Sequence, residues 1–134
     1  MTARGIRNKN PGNLRHGSNW KGRCKQQTDK SFIQFESFTY GIRALMKTLR
    51  TYFRKYHLTT IEQIIHRWAP TNENDTDAYI KFVCEQLNCQ PDENINLNDK
   101  DLMIALAKAI ALYENDDDAL LIPEECYTEA FNML

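Results

Sequence analysis

The spacing of apolar residues changes once along this chain of 134 residues, and that change constrains the fold most. From Tyr40 to Tyr56 apolar side chains recur every three or four residues, which is typical of an amphipathic α-helix. Further segments repeat this period towards the C-terminus. Before Tyr40 the sequence is polar, basic and rich in turn-forming residues. The pattern therefore predicts helices over most of the chain and a different structure at its N-terminus.

Capping residues and prolines delimit the predicted helices. We predict five helices, which run from Tyr40 to Tyr56, from Thr59 to Pro70, from Asn74 or Asp75 to Asn88, from Asn98 to Glu114, and from Pro123 to Leu134. The fourth is rich in alanine and apolar on more than one side, so we expect it to be the most buried.

The N-terminal part has the composition of a small β element. The stretches "NPGN" and "HGSN" are strong turn signals, and "SFIQFESF" is dominated by residues that favour strands. A β-hairpin by itself is only marginally stable in water, so it must pack against the helices. We therefore predict one α+β domain over residues 1–134, with an N-terminal β-hairpin region followed by five helices.

Charge is distributed very unevenly along the chain. Residues 1–67 hold 14 basic and three acidic side chains, whereas residues 68–134 hold three basic and fifteen acidic ones. This polarity predicts either an anionic partner for the first half or packing of the two halves against each other.

The sequence shows no membrane-spanning segment and no secretory signal. No apolar run approaches the ~20 residues that cross a bilayer, and no apolar segment follows the N-terminal basic residues as in a secretory signal. We therefore expect synthesis in the cytoplasm without a signal peptide.

The four cysteines, Cys24, Cys84, Cys89 and Cys126, lack metal-ligand spacing, and we predict neither a metal nor a cofactor. Cys84 and Cys126 lie on apolar helix faces and are predicted to be buried and reduced, although a disulfide between any two cysteines stays open.

Long motifs of the chain resemble a known group of proteins. They are "RGIRNKNPGNLR", "NWKG", "FIQFESFTYGIRAL", "IIHRWAPTNENDTDAYI" and "AIALYEN". They resemble small lysozyme-like and endolysin-like proteins of phages, prophages and mobile elements of Bacteroidetes, often labelled phage structural proteins. The resemblance covers nearly the whole chain.

A second, more distant resemblance concerns mechanism. In bacterial cell-wall glucosaminidases a helix that ends in a catalytic Glu precedes a hairpin, and "NPGNLR", "WKG" and "FIQFESF" look like that hairpin. Here the Ala-rich helix ending at Glu114 follows the hairpin instead. The resemblance therefore implies a circularly permuted lysozyme-like fold with Glu114 as the catalytic residue. The resemblance also implies that relatives often carry Glu-Asn-Gly where this chain has Glu114-Asn115-Asp116.

The chemistry implied is cleavage of a β-1,4 glycosidic bond, which needs a protonated carboxyl group beside the leaving oxygen. Apolar surroundings keep a carboxyl group protonated, and Glu114 follows apolar residues. A hydrolase also needs a second carboxylate, for which Glu73 and Glu36 are the candidates, whereas a lytic transglycosylase needs only one.

Sugar binding requires flat apolar faces together with amide and charged groups. The candidates for these contacts are Asn13, Arg15, Trp20, Trp68, Asn74 and Tyr79.

The leading hypothesis is a peptidoglycan glycosidase of phage or mobile-element origin, of the muramidase, glucosaminidase or lytic transglycosylase type. Its partner would be the glycan strands of the cell wall, reached after lysis, export or virion delivery. Two alternatives stay open. One is a non-catalytic structural protein of the virion, and the other is a nucleic-acid-binding protein that uses the basic N-terminal residues around Trp20.

Overall fold

The computed structural model describes residues 1–134, and its named elements are all helices. The elements are α1 (Arg4–Arg7), α2 (Phe38–Arg54), α3 (Ile61–Trp68), α4 (Thr76–Leu87), α5 (Lys100–Asn115), a 3-10 helix (Asp116–Leu121) and α6 (Glu124–Asn132). Helix α5 lies at the centre, where it packs against α1, α2, α4, α6 and the 3-10 helix. None of the helices is both long and apolar enough to cross a membrane.

Side-chain caps set where four of the helices begin. In each case an oxygen of the capping residue accepts a hydrogen bond from the backbone N–H three residues later, which satisfies a donor that the helix leaves free. The capping residues are Ser37, Thr60, Asp75 and Asp99. The predicted start of α4 is therefore correct at Asp75, while those of α2, α3 and α5 differ by one or two residues.

The hydrophobic core lies between the helices predicted from apolar periodicity. Ile42, Leu45 and Leu49 of α2 are fully buried, as are Leu106 and Ile110 of α5. Helix α5 has more buried residues than any other helix, as its composition predicts. The burial of these apolar faces is the main force that holds the helices together.

The predicted α+β class is wrong. The chain is 54% helical with only 4% strand and no sheet. Where the hairpin was expected, only the isolated bridges Arg15–Phe32 and Arg23–Phe35 occur. The lysozyme-like hairpin is therefore absent. The predicted circular permutation, which was inferred from this hairpin, is wrong for the same reason.

Polar side chains replace the missing strand ladder. The Asn10 side chain accepts a hydrogen bond from Leu14 N and donates to Leu14 O and Ile33 O. Gln27 donates to Gln34 O and accepts from Gln34 N. Short polar side chains compete with regular secondary structure in this way, which is why strand-forming residues end up in an irregular loop.

An ion pair anchors this loop to α1. Arg4 donates two hydrogen bonds to the carboxylate of Asp29, at 2.7 and 2.6 Å. These bonds, followed by one from Asn8, hold the pKa of Asp29 well below its usual range. The same carboxylate accepts from the backbone N–H groups of Ser31 and Phe32, so it organises the chain that follows it.

The two oppositely charged halves of the chain are not joined by ion pairs. The structure contains two ion pairs, Arg4–Asp29 in the basic half and Lys108–Glu124 in the acidic half. The halves nevertheless pack against each other, because α2 of the basic half has its most extensive helix contact with α6 of the acidic half. The charge asymmetry therefore does not by itself require an anionic partner.

Asp116 adopts a backbone conformation that favours glycine. Its φ is 51° and its ψ is −146°, at the junction between α5 and the 3-10 helix. A residue with a Cβ is strained there by about 1–3 kcal/mol. This is the position at which relatives are expected to carry Gly.

We expect Asp116→Gly to raise the free energy of unfolding by about 1 kcal/mol, because relief of strain exceeds the extra entropy of the unfolded chain. Urea denaturation measures the effect. Asp117→Gly is the matched control: it lies within the 3-10 helix without a positive φ and should lower stability. If both substitutions lowered stability equally, the backbone of Asp116 would not be strained.

Candidate active site

A cavity of about 310 Å³ lies where the N-terminal loop meets α2, α3 and the end of α5. Its lining combines polar and aromatic side chains. The residues that line it are Gly12, Asn13, Leu14, Arg15, Phe32, Thr48, Tyr52, Trp68, Ala69, Glu73, Asn74 and Glu114. Two carboxylates, Glu73 and Glu114, therefore share one concave surface with side chains that can bind a polar ligand.

The carboxylate of Glu114 is held at both oxygens. Asn13 Nδ2 donates to Oε1 at 3.0 Å, and the Tyr79 hydroxyl donates to Oε2 at 2.9 Å. Glu114 itself is only half-buried, at the C-terminal end of α5. The two hydrogen bonds fix the orientation of a carboxylate that still lines the cavity, where it can exchange a proton with a bound ligand.

Tyr79 stands behind Glu114 and is fully buried. Trp68 Nε1 donates to the Tyr79 hydroxyl at 3.1 Å, so Trp68, Tyr79 and Glu114 form a chain of two hydrogen bonds. Burial raises the pKa of Tyr79 far above its usual value, and the nearby negative charge of Glu114 raises it further. Tyr79 therefore stays protonated and remains a hydrogen-bond donor at physiological pH.

The loop that carries Asn13 is fixed by buried amides. Asn115 donates to Pro11 O at 2.8 Å and to Ala111 O at 2.9 Å, which ties the loop to the end of α5. Asn13 has a φ of 50°, a left-handed conformation that asparagine tolerates better than most residues. Asn13 and Glu114 therefore meet because two adjacent residues of α5 each bind the same loop.

Gly5 of α1 allows this close packing. A Cβ at this position would lie 2.3 Å from Asn115 Oδ1 and 2.9 Å from Asn13 Oδ1. Both amide oxygens are buried and accept no hydrogen bond, and they lie against the α-carbon of the glycine. The missing side chain is therefore part of what positions Asn13 beside Glu114.

The structure brings most of the predicted site residues together. Asn13, Arg15, Trp68 and Asn74 line the cavity with Glu114 and Glu73. Arg15 lies at its rim, with the guanidinium carbon 5.0 Å from the centre of the Phe32 ring.

Three predicted residues are placed elsewhere. Glu36 is exposed and does not line the cavity, and Trp20 packs on a small cluster formed by Ile33, Phe35 and Ala44. Tyr79 reaches the site only through its hydroxyl group, so its ring cannot form a face for a sugar.

Sequence reasoning missed several residues of the site, of which Thr48, Tyr52 and Asn115 have polar groups. Thr48 and Tyr52 line the cavity from α2, where they lie four residues apart at the edge of the apolar face. That spacing is a detectable signal, although it is shared by every residue flanking an apolar face. Asn115 was noted only as part of the Glu-Asn-Gly pattern, and its role depends on contacts with a residue 104 positions away.

Comparison with known proteins places the chain near a phage protein. Protein P5 of Pseudoalteromonas phage PM2 is 44% identical over 98 residues, which are 70% of this chain and 61% of that protein. This similarity supports a phage origin. The chain spans less than two thirds of the length of the relative that it matches. No protein-family model matches the chain.

Proposed function

We propose that this chain is a peptidoglycan glycosidase of phage origin in which Glu114 is the general acid. The observation that carries the proposal is the Glu114 carboxylate, held by Asn13 and Tyr79 and open to a cavity. A carboxyl group that is fixed in orientation and open to a cavity can, when it carries a proton, protonate the oxygen of a scissile glycosidic bond. The resemblance of the chain's motifs to lysozyme-like and endolysin-like proteins of phages and Bacteroidetes elements, often labelled phage structural proteins, implies the same chemistry.

Glu73 is the candidate for the second carboxylate. It lines the same cavity as Glu114 but lies exposed in the loop between α3 and α4. In a hydrolase this group acts as the base or the nucleophile, whereas a lytic transglycosylase uses a hydroxyl of the substrate. Glu73→Gln therefore separates the two reactions, because only hydrolysis requires the second carboxylate.

The remaining cavity residues suit a glycan strand with carboxylate substituents. Trp68 presents an aromatic ring and Asn74 an amide, which are common contacts of sugar rings and hydroxyls. Arg15 makes no ion pair within the protein, so its guanidinium is free to bind a carboxylate of the peptide stem.

The direct test is incubation of the purified chain with insoluble peptidoglycan sacculi. Release of soluble fragments with new reducing ends identifies hydrolysis, and release of fragments with anhydro ends identifies transglycosylation. Binding to sacculi without release of fragments would contradict glycosidase activity and favour a non-catalytic structural protein of the virion. Salt-sensitive binding to DNA without affinity for sacculi would favour the nucleic-acid-binding protein.

Tyr79→Phe tests how Glu114 is oriented. The substitution removes one of the two hydrogen bonds to the carboxylate, and we expect kcat to fall about tenfold while the fold is retained. Tyr113→Phe is the matched control, because the Tyr113 ring stacks on Tyr79 at 3.8 Å but its hydroxyl makes no hydrogen bond within the protein. The initial rate of fragment release measures both. Equal rates for the two variants would contradict a role for the Tyr79 hydroxyl.

A further inference from the structure

The C-terminal end of α4 brings two cysteines together. Asn88 ends this helix in the left-handed conformation, with φ 53° and ψ 52°. The backbone N–H groups of Asn88 and Cys89 both donate to Cys84 O, the latter at 3.1 Å. In a helix end of this type, the residue whose carbonyl accepts these bonds has its side chain against that of the second residue after the helix. Here those two side chains are the thiols of Cys84 and Cys89.

The two thiols differ in burial and acidity. Cys84 is buried and Cys89 is half-buried, and both are free. Burial, strengthened by the neighbouring Cys89, raises the pKa of Cys84 to about 12. Burial also raises the pKa of Cys89, but the contact with Cys84 opposes that rise. Cys89 is therefore the thiol better placed to react first with a reagent from solution.

An open cavity gives such a reagent access. It has a volume of about 560 Å³, and both Cys84 and Cys89 line it. The other two cysteines do not share this environment, because Cys24 lies in the N-terminal loop and Cys126 in α6, where it is half-buried rather than buried as the sequence predicts.

We propose that Cys84 and Cys89 are a site of disulfide formation that takes a small disulfide oxidant such as glutathione disulfide. The Cys89 thiolate attacks one sulfur of the oxidant, which forms a mixed disulfide and releases one thiol. The Cys84 thiolate then attacks Cys89 Sγ and releases the second thiol. The protein loses two protons and two electrons, and the oxidant is reduced to two thiols.

The bond would close a short loop across the end of α4. The same helix carries Tyr79, whose hydroxyl donates to Glu114. A cross-link here reduces the freedom of the unfolded chain and suppresses fraying of α4. Such a bond forms readily outside the reducing cytoplasm.

Peptide mapping tests the pairing directly. The reduced protein is treated with glutathione disulfide, alkylated under denaturing conditions and digested with trypsin. Cleavage at Lys81 and Lys100 yields one peptide, residues 82–100, that contains both Cys84 and Cys89. We expect this peptide to be two hydrogen atoms lighter and unalkylated. Alkylation at both cysteines, a lasting mixed disulfide, or a bond to Cys24 or Cys126 would overturn the proposal.

Two variants separate this bond from other thiol chemistry. The double variant Cys24→Ser, Cys126→Ser should form the same bond, with a rise in Tm of about 5 °C on oxidation. Cys89→Ser should show no oxidation-dependent rise. A rise in Cys89→Ser, or none in the double variant, would contradict a stabilising bond between Cys84 and Cys89.

Discussion

Glu114→Gln is expected to lower the rate of peptidoglycan cleavage about 10²- to 10⁴-fold, with little change in Tm. Glutamine matches the size of glutamate and offers an oxygen to Asn13 Nδ2, while its amide nitrogen can donate to the Tyr79 oxygen in place of the bond that the carboxylate accepts. The side chain therefore keeps its place at the end of α5. It cannot donate a proton to a leaving oxygen. The initial rate of fragment release from sacculi and thermal unfolding of the same preparation measure the two effects.

The control for this substitution is Glu125→Gln, which removes an equal charge from an exposed position of α6. The Glu125 side chain makes no ion pair or hydrogen bond within the protein and lies outside the cavity. It should cleave sacculi at the rate of the unmodified protein. Wild-type activity in Glu114→Gln would remove Glu114 from the mechanism.

Gly41→Ala is expected to lower the free energy of unfolding by about 3 kcal/mol, which corresponds to a fall in Tm of about 10 °C. Gly41 lies in the first turns of α2, and a Cβ there would be 2.0 Å from Lys9 O and 3.2 Å from Pro11 Cδ. The obstruction comes mainly from backbone, so a side-chain rotation cannot relieve it. The loop that carries Asn13 would have to move away from α2.

The sign of this effect distinguishes tertiary packing from helix propensity. Within an exposed helix the same substitution stabilises by up to about 1 kcal/mol, because alanine is the better helix former. Thr51→Ala, at an exposed position of the same helix, should change stability by no more than about 0.5 kcal/mol. Thermal unfolding compares the two variants. A raised Tm in Gly41→Ala would show that the loop does not pack as described.

The helices were predictable because their signal is local. Apolar side chains at intervals of three and four residues occupy one face of a helix, and Asp75 and Pro70 mark boundaries within a few residues. The short helix α1 was missed because four residues, Arg4–Arg7, carry no detectable period. The N-terminal loop was misassigned because "SFIQFESF" favours strands, whereas amides from Asn10 and Gln27 occupy the backbone groups that a ladder would use.

The candidate site was predictable only in its residue types. Glu73 and Glu36 were equivalent candidates in sequence, yet only Glu73 lines the cavity. The polar, Gly-rich surroundings of Trp20 favoured it over Trp68 as a binding residue, yet only Trp68 lines the cavity, because Trp20 packs on the small cluster of Ile33, Phe35 and Ala44.

The sequence alone was sufficient to locate the α-helices after residue 37 in outline and to place Glu114 at the end of the most buried one. Tertiary structure decided that Glu114 meets Asn13, 101 positions earlier in the chain, and that Tyr79 serves it as a buried donor. The physical reason is range. Helical periodicity arises from neighbours within one turn, whereas a cavity forms where distant segments pack, and close approaches such as that of Lys9 to Gly41 govern that packing.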